Sequence, residues 1–114
     1  MVYTFSLKDN KDFQKILKKG KWYGADFFSL YVQPNHSDVN YRGMAGSKKF
    51  GKAVKRNRVK RVLREAYRVM EERVNAGFNF VFVWKTSVPV NHANFCEVSK
   101  DMLKCFEKAG LIKN

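Results

Sequence analysis

Acidic residues are scarce in this chain: ten Asp and Glu stand against 23 Lys and Arg, for a formal net charge of +13 over 114 residues. The acids are scattered, without the paired arrangement that metal-dependent phosphodiester cleavage requires. Histidine is nearly absent; His36 in a polar loop and His92 ahead of a helix are isolated, and read as surface residues rather than as a base or a ligand. No GxxxxGK[ST] loop occurs, so the common phosphate cradle of nucleotide enzymes is missing. No catalytic residue is assigned to the polypeptide. The two cysteines, Cys96 and Cys105, lie in a segment of helical pattern. A rise of ~1.5 Å per residue sets them about 13 Å apart, beyond disulfide reach, and their spacing matches no zinc site. Free thiols in a reducing compartment follow. No apolar run approaches the roughly 20 residues of a spanning helix, and MVYTFSLKDN lacks the charged-then-apolar layout of a secretory signal. A cytoplasmic location without a membrane partner is expected. Internal repeats and low-complexity segments are also lacking.

What is present is a chain that can fold. Hydrophobic residues make up 45% and aromatics 15%, enough for one compact domain, residues 1–114, around one core. The basic excess is concentrated in residues 47–68, SKKFGKAVKRNRVKRVLREAYR. Lys48, Lys49, Lys52, Lys55, Arg56, Arg58, Lys60, Arg61, Arg64 and Arg68 are set there against a single acid, Glu65. Such a run repels itself unless an anion lies beside it, so a polyanion, nucleic acid, is the expected partner, with binding that weakens steeply as salt rises. A solvated tail would lack apolar residues. This stretch threads Val59, Val62, Leu63, Ala66 and Tyr67 between its charges at helical spacing. With about 100° per residue from Val59, the residues Val62, Leu63, Ala66, Tyr67, Met70 and Val74 fall within about 80°, while Asn57, Arg61, Arg64 and Arg68 cluster near ~140–200°. One side is core and the opposite side an arginine-rich row. Ala53 and Val54 fall off the apolar stripe, which puts the start of the regular helix near Arg56 or Asn57 and leaves residues 48–55 as a loop or irregular turn.

Before this stretch, an extended lead-in ends at a possible cap, Asn10. A short amphipathic helix follows, with Phe13, Ile16 and Leu17 on one side and Lys11, Lys15, Lys18 and Lys19 over the rest. Gly20 ends it in the manner of a glycine C-cap. Residues 27–33 form a strand that places Phe28, Leu30 and Val32 on one face and Phe27, Ser29, Tyr31 and Gln33 on the other. Phe27 and Tyr31 can pack against the first helix or serve as stacking platforms for unpaired bases. Tyr41 to Ser47 reads as a second strand in which Gly43 and Gly46 weaken packing but permit close approach of another group. After the basic helix, FNFVFVW over residues 78–84 reads as an inner strand covered on both faces. Asn94 with Glu97 resembles a capping box, and Phe95, Val98, Met102, Phe106 and Ala109 form the stripe of a last helix. The order is αββαβα, or αβββαβα if one strand divides.

The succession SKK, GKAV, RNR, KR and LRE within about twenty residues resembles the signature of the protein subunit of bacterial ribonuclease P. The likeness extends through KDFQKILKKG, FSLYV and FNFVFVW. It implies an α+β fold, a two-layer α/β sandwich like the second domain of ribosomal protein S5, in the order αβββαβα. It also implies a left-handed βαβ crossover through the basic helix, against the general right-handed rule. The implied function is to bind the catalytic RNA and the 5′ leader of precursor tRNA and so promote endonucleolytic 5′ maturation of tRNA. Hydrolysis is left to the RNA with Mg²⁺; the protein alone binds no cofactor, and no protein oligomer is expected. The docking residues implied are Arg56, Asn57, Arg58, Lys60, Arg61, Arg64 and Arg68. The guanidinium forks of Arg56, Arg58, Arg61 and Arg64 suit phosphate oxygens, a geometry lysine lacks, and the Asn57 amide suits a cap, a base, a ribose or a hydrated metal. The leader residues implied are Phe13, Leu17 and Tyr31, with Lys48 and Lys49 at the exit of the cleft; Phe27 stays open between cleft and core. The chain departs from the family pattern at Ser6-Leu7-Lys8, at Ala45-Gly46, at Asn79 in place of a frequent acid, and at Lys85 in place of an arginine. A ribosomal or RNA-chaperone protein of the same fold is the alternative reading. A DNA regulator is disfavoured, because a recognition helix would need a helix just before it.

Overall fold

The structure, a computed structural model, describes residues 4–7, 9–45, 53–92 and 94–113. Its elements are β1 (Thr4–Ser6), α1 (Asn10–Lys19), β2 (Lys21–Gly24), β3 (Phe28–Pro34), β4 (Asn40–Ala45), α2 (Ala53–Met70), β5 (Phe78–Trp84) and α3 (Phe95–Lys108), with 3₁₀ turns at Glu71–Arg73 and Val90–His92. The fold is mixed α+β, a five-stranded sheet with three helices, in the strand order β1-β4-β5-β3-β2. β5 sits at the centre, parallel to β4 and antiparallel to β3. The unit β4–α2–β5 is thus a parallel βαβ crossover through the basic helix.

Period-two alternation sorts the sheet into two faces. Phe28, Leu30 and Val32 of β3 share one face with Phe80, Phe82 and Trp84 of β5, and α2 and α3 cover them with Val59, Leu63, Ala66, Tyr67, Val98, Met102 and Phe106. Sheet and helix pair form the two-layer sandwich around one core, in which Tyr67, Phe80, Phe82 and Phe106 meet at ring-centroid distances of 5.3–6.5 Å. Each such ring, fully buried, contributes on the order of 2–3 kcal/mol of transfer free energy. α1 crosses the far face of the sheet, packing on β3 and β5 and burying Ile16. β5 is therefore covered on both faces near Val81, as its continuous apolar run requires.

Several local expectations are corrected. The lead-in contains a strand, β1, which pairs in parallel with β4. The cap of α1 is Asp9, whose Oδ1 accepts from the Lys11 backbone N–H at 2.9 Å, so Asn10 is already helical. Gly20 follows α1 in extended conformation, φ −71° and ψ 154°, not as a left-handed cap. A Cβ there would meet the Ile16 carbonyl oxygen at 2.5 Å, so the glycine serves close packing rather than chain reversal. The additional strand after α1 is β2, Lys21–Gly24, directly after that glycine, and not a division of either predicted strand. α2 begins at Ala53, not near Arg56, because its first turn needs no apolar anchor and Val54 faces solvent. At the other end of the chain, Asn94 does cap α3, accepting from the Glu97 N–H at 3.2 Å, while its own N–H goes to His92 O; Phe95 is exposed rather than part of the buried stripe. Both cysteines are free thiols. Among the described residues no helix is long and apolar enough to cross a membrane.

Candidate nucleic-acid interface

α2 presents its charges as its periodicity dictates. Val59, Leu63, Ala66, Tyr67 and Met70 are buried, whereas Asn57, Arg58, Arg61, Arg64 and Arg68 are exposed and Arg56 and Lys60 are half-buried. Arg61 donates from Nε to Glu65 Oε1 at 3.3 Å, one turn on, which holds its guanidinium along the helix. Between α2 and the β1–β4 edge lies a cavity of ≈330 Å³ lined by Arg42, Arg61, Arg64 and Arg68, by Glu65 and Glu71, and by the Thr4 and Tyr67 side chains. The Thr4 and Tyr67 hydroxyls share a hydrogen bond of 2.8 Å in its buried wall.

Arg42 is the member that sequence reasoning missed. Alternation on β4 places it on the helix side with Asn40 and Met44, and its Nη1 donates to Ser6 Oγ at 3.3 Å. Burial lowers its pKa, and the positive charge of Arg64 beside it adds to that effect. Two guanidiniums held close in a partly dry wall favour an oxyanion between them, which phosphate supplies with matching geometry. The available signal was period two: a lone arginine inside YRGMA falls on the face turned to the basic helix.

The far face of the sheet carries different chemistry. Gly43, Val81, Tyr31 and Trp22 lie in register across β4, β5, β3 and β2, so their positions share one face. α1 sets Phe13 directly on Gly43: a Cβ at residue 43 would lie 2.7 Å from Phe13 Cε2 and 3.1 Å from Leu7 Cδ1. Phe13, Leu17 and Tyr31 are half-buried on this face. Phe13, Leu17 and Tyr31 are thus associated with this face, whereas Lys48 and Lys49 lie outside the described residues. Trp22, 57% exposed and opposite Tyr31, was not anticipated; its ring lies over Gly24. At the other edge of this face, Phe5 and Tyr41 pair at 6.0 Å and stay exposed. Exposed rings on a sheet are stacking platforms for unpaired bases. Phe27, left open by the sequence, precedes β3 and packs on Trp84 at 5.7 Å, against the core. Asn79 accepts from Asn35 Nδ2 at 3.0 Å, a neutral pair. Among the described residues no three His, Cys, Asp or Glu side chains gather as a metal-ligand set.

Comparisons with known proteins agree on one family. The family model described as ribonuclease P matches residues 1–110. The ribonuclease P protein component of Clostridium perfringens is 39% identical over 116 residues, covering 96% of this chain and 91% of that protein. That of Clostridioides difficile is 37% identical over 100 residues, covering 87% and 86%. Among solved structures, RNase P protein from Staphylococcus aureus superposes with a TM-score of 0.80 at 27% identity, covering 99% of this chain and 100% of that one. RNase P protein from Thermotoga maritima gives a TM-score of 0.80 at 27% identity, covering 90% and 96%.

Proposed function

The chain belongs to the ribonuclease P protein family, and from that premise we propose how its two faces divide the work. The helix layer docks on the catalytic RNA through Arg56, Asn57, Arg58, Lys60, Arg61, Arg64 and Arg68, with Arg42 completing the phosphate-binding wall. The far face of the sheet holds the single-stranded 5′ leader of precursor tRNA, with Phe13, Leu17 and Tyr31 against its bases and Lys48 and Lys49 beside its phosphates. The protein thereby selects precursor over mature tRNA for endonucleolytic 5′ maturation. Hydrolysis belongs to the RNA and its Mg²⁺; the protein supplies positive charge and position, which reduce the repulsion between two polyanions.

The observation that carries this reading is the separation itself. A row of exposed arginines lies on one side of the sheet, and half-buried and exposed aromatic rings lie on the other. One chain can therefore hold two RNA molecules at once. Reconstitution with a bacterial ribonuclease P RNA tests it: added protein is expected to lower the Mg²⁺ needed for cleavage and to favour precursor over mature tRNA. A ribosomal or chaperone role of the same fold would leave both quantities unchanged.

A further inference from the structure

Two cations of the basic helix, Lys55 and the proposed docking residue Arg58, are set to one side of Arg64 and Arg68. With about 100° per residue, Lys55 and Arg58 lie near −40° and −100° from Val59, on the flank away from Arg64 and Arg68. They form one wall of a groove of ≈660 Å³ whose other wall is the connection from β5 to α3, through Thr86, Ser87, Pro89, Val90 and Asn91. This volume falls in the range of ~300–1,000 Å³ typical of small-molecule sites.

The second wall is held in shape by its own bonds. Trp84 Nε1 donates to Val88 O at 2.9 Å, Val88 N–H to Lys85 O at 3.1 Å, and His92 N–H to Pro89 O at 3.0 Å. Val88 and Val90 pack against the core, and the Val90–His92 turn rests on α2. A wall already ordered costs little conformational entropy when a ligand arrives. The lining sets two cations on one side against hydroxyl and amide groups and the apolar Pro89 and Val90 on the other.

We propose that this groove takes one unpaired nucleotide of the catalytic RNA. Its phosphate lies between Lys55 and Arg58, its base rests on Pro89 and Val90, and its polar edge meets Thr86, Ser87 and Asn91. The inference rests on the docking role proposed for α2. Position selects the source of the nucleotide. Trp84 points into the core, so the connection folds back over the helix layer, on the opposite side of the sheet from Tyr31 and the proposed leader cleft.

The test uses full-length protein in the reconstituted ribonucleoprotein. The double variant Ser87→Ala/Asn91→Ala removes neutral hydrogen-bonding groups from exposed positions. It is expected to weaken association with the catalytic RNA about tenfold while leaving its salt dependence and the preference for precursor tRNA unchanged. In a second arm, Ser87→Cys in a Cys96→Ser background carries a short photo-crosslinker, and the adduct is expected on one unpaired stretch of the catalytic RNA. Unchanged affinity, or an adduct on the precursor leader, overturns the proposal. Arg64→Ala, run in parallel, separates the two levels. Loss there with none in the double variant refutes the groove alone, and no loss in either refutes the docking role of α2.

Discussion

Gly43→Ala is the smallest change that reaches the proposed leader cleft. A Cβ at this position would stand 2.7 and 2.8 Å from two ring carbons of Phe13 and 3.1 Å from Leu7 Cδ1, where ordinary contact begins at 3.4 Å. The Phe13 ring must retreat by the difference, 3.4 − 2.7 = 0.7 Å, while Leu7 Cδ1, also inside ordinary contact, must give by about half as much. Overpacking of this kind costs about 1–3 kcal/mol. The displacement also lifts the ring from the sheet surface against which a base would stack, and stacking is worth ~1–3 kcal/mol per base. The expected result is therefore double. The urea midpoint falls by an amount equal to about 1–3 kcal/mol with an unchanged slope, and the reconstituted ribonucleoprotein loses on the order of tenfold in affinity for precursor but not mature tRNA. Association with the catalytic RNA stays as it was. Destabilisation with intact leader preference would remove Phe13 from the leader site. Unchanged stability would refute the close approach itself.

Other expectations follow from single contacts. Arg42→Ala should weaken association with the catalytic RNA and reduce its salt slope by roughly one unit or less, read from binding across a salt series. Asp101→Ala should cost ~2–4 kcal/mol by urea denaturation, because its buried carboxylate accepts from the Asp26 and Phe27 N–H groups, each at 2.9 Å, and holds the β2–β3 turn. The Cys105 thiol is pushed up from 9.0 to about 11, first by burial and then by the charge of Asp101. Since the raised group keeps its proton in the folded state, its contribution to stability is complete below the ordinary thiol value and is lost as pH rises toward the folded one. At neutral pH a thiol reagent should titrate one cysteine, Cys96, in native protein and both in urea.

The elements that could be read in advance were those whose residues carry their own signal. FNFVFVW is apolar along its length and became the central strand residue for residue; Phe28, Leu30 and Val32 alternate and became core. The buried stripe of α2 and the Asn94 cap were equally legible. What stayed hidden depends on partners far along the chain. β2 is four residues with Lys21 and Trp22 exposed, and only its pairing with β3 makes it a strand. β1 exists through its parallel pairing with β4. The start of α2 was missed because amphipathic periodicity reports burial, and Val54 in its first turn is 78% exposed. The candidate interface followed the same division: the arginine row was visible from periodicity and the Phe13, Leu17 and Tyr31 positions from family likeness, whereas Arg42 and Trp22 come beside them only once strands are placed side by side. The positions of Lys48 and Lys49 lie outside the described residues.

On the proposed division of work, the two faces bind two different RNAs independently. Tyr31→Ala and Arg64→Ala, singly and together, measured in one titration for catalytic-RNA affinity and for precursor-over-mature preference, address it most directly. Tyr31→Ala is expected to lower the preference by about 1–3 kcal/mol and leave catalytic-RNA affinity intact, Arg64→Ala to do the reverse, and the double variant to show the sum. Equal loss for precursor and mature tRNA on replacing Tyr31, or both quantities falling together in either single variant, would contradict it.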